Sequence, residues 1–162
     1  MKFFKLLFIV TLLFSFSIAN EKVKIVDVNL LSKQATKESK HTLLFFHMTY
    51  CPYCKRMKKF VFNDKKVQEQ IERNFLFVDV NVDDDDLIMY KKFKDTKKQF
   101  ANKLKISFYP TIVFIDENNE IIYTLKGYRS KDTFKNVLNY IRGKVYLDKD
   151  FSAYLDDLEF EK

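Results

Sequence analysis

The chain holds only two glycines, two prolines and two cysteines in 162 residues. So little glycine and proline excludes a long flexible linker or a collagen-like segment. With two cysteines and two histidines in all, a four-ligand structural zinc site would have to use every one of them, His41 and His47 included. A basic block is also missing. The formal charge is +7, yet charges of both signs are interspersed and the aromatics fall inside apolar runs, not between Lys and Arg. That pattern argues against nucleic acid as a partner. What is present, 47% hydrophobic and 17% aromatic residues, suits one globular domain.

The amino terminus reads differently from the rest. In MKFFKLLFIVTLLFSFSIAN, Lys2 and Lys5 precede an apolar run from Leu6 to Phe16, and Ser17-Ile18-Ala19 offers small residues where a signal peptidase reads. Residues 1–19 are therefore expected to be a cleaved signal peptide; an uncleaved membrane anchor is the lesser alternative, the run being short for a span of about 20 residues. No cysteine follows the cut, which argues against lipid attachment. The expected location is a bacterial periplasm.

Residues 22–28 alternate apolar and polar as a short strand, and 30–40 read as a polar-faced helix, so 20–40 forms an N-terminal strand and helix. His41–His47 is a short apolar run, the mark of a buried strand. Pro52 suits the first turn of a helix continuing from Cys54 to about Phe60. Asn63 or Asp64 is expected to cap a helix over Lys65–Arg73. Phe75–Val82 reads as a central strand. Asp83–Asp86 is expected to open a helical section carrying Leu87, Met89, Tyr90, Phe93, Phe100 and Leu104. Strands follow at Ile112–Ile115 and Ile121–Leu125, then an amphipathic helix over Lys131–Ile141. The order β-α-β-α-β-α-β-β-α predicts an α/β fold, a central mixed sheet flanked by helices. Residues 143–162 form a C-terminal extension expected to lie back on the domain.

Both cysteines fall in MTYCPYCKRM, residues 48–57. A disulfide closing so small a ring constrains the unfolded chain little, so the pair is poorly placed as a staple. Placed after a buried strand and at a helix start, it gains a chemical use instead. Free amide groups at the helix N-terminus favour a thiolate at Cys51, making it the nucleophile. Cys54, one turn deeper, is expected to be shielded and to attack the mixed disulfide formed at Cys51. Pro52 and Tyr53 set the helix start and local polarity; Lys55 and Arg56 add positive charge.

Together with Tyr109-Pro110-Thr111-Ile112-Val113-Phe114 and Gly127, the strand and the CPYC motif resemble the thioredoxin superfamily over about residues 41–142. The resemblance implies a thioredoxin-like fold, a cis-proline at Pro110 and a substrate platform of Tyr109, Pro110 and Thr111, with Gly127 letting the backbone approach closely. The stretch Lys97–Tyr128 is most similar to SoxW-type periplasmic thioredoxins. The family implies an exported thiol-disulfide oxidoreductase without cofactor or metal. It also implies a monomer that reduces disulfide-containing periplasmic proteins and is itself recharged by a membrane thiol reductant of the DsbD or CcdA kind.

The sequence departs from cytosolic thioredoxin in its Pro52-Tyr53 dipeptide, which is that of glutaredoxins in place of Gly-Pro, and at three further positions. Phe45 stands where that family buries an aspartate, leaving no obvious base for Cys54. Asp79 is expected either to supply that carboxylate, with a pKa raised by burial, or to point to solvent at a sheet edge. His47, where the family has an aromatic, either tunes the thiolate or is a packed ring. Within the redox class an oxidase or isomerase remains open; a Cu(I)-binding protein using the two thiolates is the alternative from another class.

Overall fold

The computed structural model describes residues 23–160, so the signal-peptide reading of residues 1–19 lies outside the described residues. Strand β2, His41–His47, is buried along its whole length because both faces of the sheet are covered. It pairs in parallel with β3, Phe75–Asn81, and antiparallel with β6, Thr111–Ile115, which pairs antiparallel with β7, Ile121–Lys126. The mixed sheet therefore runs β3-β2-β6-β7.

Alternation along β2 divides the core into two layers. Leu43 and Phe45 share one face with Ile112 and Phe114. Against it pack three helices: α2, Pro52–Met57, continued by a π-helical turn at Lys58–Phe62; α3, Lys65–Asn74; and α5, Lys131–Arg142. Leu44 and Phe46 point the other way, with Val78, Val80, Val113 and Ile115, toward α1, Val28–Lys37, and α4, Lys97–Lys103. Asp64, not Asn63, caps α3, accepting from the Lys66 and Val67 amides. Helix α6, Phe151–Phe160, folds back so that Phe151 and Tyr154 join the first layer.

The segment after the acidic cluster corrects the sequence reading. Instead of a helix from Asp83 onward, Leu87–Tyr90 and Phe93–Thr96 form an antiparallel hairpin, β4 and β5. Ile88 and Tyr90 are buried while Leu87 and Met89 are half-buried, a period of two that the apolar run had masked. Strand β1, Ile25–Asp27, supplies the hairpin's parallel partner, giving a second sheet in the order β1-β4-β5. Helix formation starts only at Lys97, where the Thr96 hydroxyl accepts from the Gln99 amide as an N-cap.

Candidate functional site: the cysteine pair and the proline turn

Strand β2 ends at His47, and four residues later Cys51 caps helix α2. Its Sγ accepts a hydrogen bond from the Cys54 amide at 3.1 Å, an orphan donor of the first helical turn. Pro52 occupies the first helical position, where no amide hydrogen is needed. The two cysteines are joined as a disulfide with their Cα atoms 5.2 Å apart. Their surroundings differ: Cys51 is half-buried, Cys54 is 1% exposed among Met57, Val61 and Phe45 of the core. One sulfur is reachable and its neighbour lies beneath it.

The loop before β6 meets this pair. The Tyr109–Pro110 bond is cis, and the Tyr109 carbonyl oxygen lies 3.7 Å from Cys51 Sγ. Tyr109 is half-buried, and burial, then the Asp83 charge, push its phenol pKa up, so it stays neutral. Thr111 is 1% exposed, and its hydroxyl donates to the Phe108 carbonyl at 2.6 Å. That corrects its place in the expected platform, since a buried hydroxyl holds the turn and cannot touch a docked chain. Gly127 donates its amide to the Pro110 carbonyl at 2.7 Å. Close approach is not what requires a glycine there: an added Cβ would meet only Arg129 Nη1, at 3.6 Å, whereas the backbone sits at φ +83°. The requirement is conformational.

Asp79 and His47 belong to one cluster. Asp79 faces Phe45 in register across β3 and β2, and its carboxylate takes hydrogen bonds from His47 Nε2 and, at 2.8 Å, from Lys58 Nζ. His47 is buried and stacked on Phe45, with ring centroids 5.1 Å apart. Lys58 Nζ also lies 3.0 Å from His47 Nε2. That nitrogen can donate to Asp79 or accept from Lys58, not both at once, so the ring tautomer decides which of the two bonds is made. The raised pKa expected for Asp79 is corrected. Burial alone would raise it, but the His47 and then the Lys58 hydrogen bonds, with their charges, outweigh burial and hold the carboxyl below its ordinary range. Its side chain is 47% exposed on an edge strand, and neither Asp79 nor His47 hydrogen-bonds to Cys54. Lys58 was missed in the sequence, although its spacing of four from Cys54 places both on one helix stripe.

Around Cys51 the surface is aromatic and basic. Tyr50 is 87% exposed, Phe108 69% and Tyr53 59%. Arg56 lies over the Tyr128 ring, its Cζ 4.8 Å from the centroid, and Lys55 over Tyr50 at 5.8 Å. Tyr128 had no local signal in the sequence; it arrives because Gly127 turns the end of β7 toward Pro110. A zinc site completed by the histidines is ruled out by position. His41 and His47 stand at opposite ends of β2, about 20 Å apart at the rise of an extended strand.

Residues 28–142 match the family model of a thioredoxin-like domain. Among solved structures, a thioredoxin-fold protein from Helicobacter pylori is 29% identical, with 75% of this chain and 81% of that one covered and a TM-score of 0.64. A thioredoxin from Thermus thermophilus is 23% identical over 74% of this chain and 86% of its own, TM-score 0.57. The reduced C-terminal domain of Neisseria meningitidis DsbD is 18% identical over 69% and 91%, TM-score 0.51, a likeness of fold. No curated protein matches the chain significantly.

Proposed function

Because the chain belongs to the thioredoxin-like domain family, we propose that it is a thiol-disulfide oxidoreductase that reduces disulfides in exported proteins through Cys51 and Cys54. The observation that carries this reading is the pairing of a reachable sulfur, capped by the Cys54 amide and 3.7 Å from the Tyr109 carbonyl, with a second sulfur that is 1% exposed.

A substrate chain docks against the Tyr109 backbone in an extended form. The Cys51 thiolate attacks one substrate sulfur; the substrate disulfide breaks, and its first sulfur leaves and takes up a proton. Cys54 then loses its proton and attacks Cys51 Sγ. The Cys51–Cys54 bond forms, the mixed disulfide breaks, and the second substrate thiol departs. Two electrons have passed from the dithiol to the substrate, and a thiol donor must return them. The signal-peptide reading of residues 1–19 supports a periplasmic location, hence a membrane thiol reductant as donor. The Lys97–Tyr128 pattern supports a SoxW-type protein acting as a monomer.

The cysteine variants test this. Cys51→Ser should abolish disulfide reduction, whereas Cys54→Ser should accumulate a covalent adduct with substrate, visible on a non-reducing gel. Absence of any adduct would sink the reading. The reduction potential fixes direction: a value near thioredoxin's, about −270 mV, supports a reductant, and one near about −120 mV reassigns the protein as an oxidase.

A further inference from the structure

Arg56 carries a guanidinium without a partner. It rests over Tyr128 with Cζ 4.8 Å from the ring centroid and makes no hydrogen bond or ion pair among the described residues. Lys55 and Lys59 on the same helical segment are alike, set over Tyr50 and Phe60 without an ion pair among the described residues. Lys58 on the same segment differs in holding Asp79, as Lys97 holds Asp84 and Asp86 and Lys131 holds Asp64 elsewhere in the fold. Three cations without an ion pair thus stand on the helical segment that Cys51 caps, and Arg56 is the one held on a ring beside the proline turn.

The sheet order gives this charge a direction. Across β3-β2-β6-β7, the acidic turn after β3 lies to one side of Cys51, tied in by the Asp83 carboxylate accepting from the Thr49 amide at 2.8 Å. Tyr128, which follows β7, lies to the other. A chain lying across the Tyr109 carbonyl meets negative charge at one end of its path and the Arg56 guanidinium at the other.

We propose that Arg56, stacked on Tyr128, is a carboxylate-binding subsite, and that the proteins reduced here present an acidic segment on one side of the attacked cysteine. The proposal rests on Cys51 being the attacking thiol. Isolated surface ion pairs contribute little, largely because two flexible side chains must be ordered. Here the aromatic face already orders one of them, and a planar guanidinium offers a carboxylate two parallel hydrogen bonds, which a lysine cannot.

The test uses two disulfide-linked peptides of one sequence, differing only in whether Asp and Glu beside the cysteine are replaced by Asn and Gln, with 2,2′-dithiodipyridine as a neutral small disulfide. For the reduced wild-type protein, kcat/KM on the acidic peptide should exceed that on the amide peptide about tenfold at low ionic strength. The ratio should shrink as salt is added. In Arg56→Gln it should fall close to one, and Arg56→Lys, which keeps the charge but not the fork, should land between. Equal rates for the two peptides in the wild type, or an undiminished ratio in Arg56→Gln, would overturn the subsite while leaving the thiol chemistry standing. A wild-type protein inactive on all three disulfides would overturn the thiol reading, and the subsite with it.

Discussion

At Asp79 a few contacts decide how a charge behaves. A lone carboxylate in the run FLFVDVNV reads as either a buried base or a solvated edge residue, and the partners that decide come from elsewhere in the chain. His47 reaches it from the neighbouring strand and Lys58 from the helical segment, and together they hold its pKa low against the opposing effect of burial. The sign of the consequence follows directly. A carboxyl that gives up its proton more readily when folded adds stability above its unfolded pKa of about 3.9, and that stability is lost as pH falls through the folded value. Asp79→Asn should therefore lower the melting temperature of the oxidised protein at neutral pH, and the gap from wild type should close below about pH 4. Half the side chain sees water, so screening keeps the neutral-pH loss under about 1 kcal/mol. Thermal melts of both proteins across acid pH check this; a gap that stays constant would assign the loss to packing, not charge.

Single elements place those residues, and the connection after β7 shows how. Gly127 turns the chain at φ +83° so that its amide reaches the Pro110 carbonyl and Tyr128 comes to lie under Arg56. Gly127→Ala meets no obstruction beyond a flexible arginine, so its cost is that of a left-handed backbone, about 1–2 kcal/mol. Denaturant unfolding measures it, and a variant as stable as wild type would mean the turn relaxes freely. Elements of this kind were legible where the signal is local. The buried strand β2, the proline at the start of α2 and the cap at Asp64 are each written within a few residues. The hairpin β4–β5 was not legible, because LIMY followed by KKF satisfies a helical and a two-residue period alike. What decides is a parallel partner, Ile25–Asp27, some 60 residues away in sequence. The site divides the same way: Cys51, Cys54 and Pro110 stand in short motifs, whereas Lys58 and Tyr128 acquire partners only through tertiary contact.

Across the whole molecule, the sheet buries both faces of β2 and needs little from the chain beyond α5, yet helix α6 returns to it. None of its residues is buried, and Phe160 is 90% exposed. Its hold is aromatic: Phe151 and Tyr154 lie 5.3 and 5.4 Å from the Tyr140 ring, and Phe151 lies 6.2 Å from Tyr123. The Tyr140 hydroxyl donates to the Lys149 carbonyl at 2.7 Å, fixing the approach. Two half-buried aromatics with ring contacts contribute about 1–2 kcal/mol each, and ordering a ten-residue helix offsets part of that gain. Ending the chain at Lys149 should then cost about 1–3 kcal/mol net, seen as a fall of several degrees in melting temperature. The Tyr123 and Tyr140 rings, newly wetted, should increase the binding of a hydrophobic dye. Because the contacts that hold α6 are with α5 and Tyr123, the shortened protein should reduce 2,2′-dithiodipyridine at the full-length rate. An unchanged melting temperature would show that the aromatic contacts contribute nothing net. A lost reductase rate with the fold intact would instead give the extension a part in the cysteine chemistry, which its packing on the far edge of the sheet does not supply.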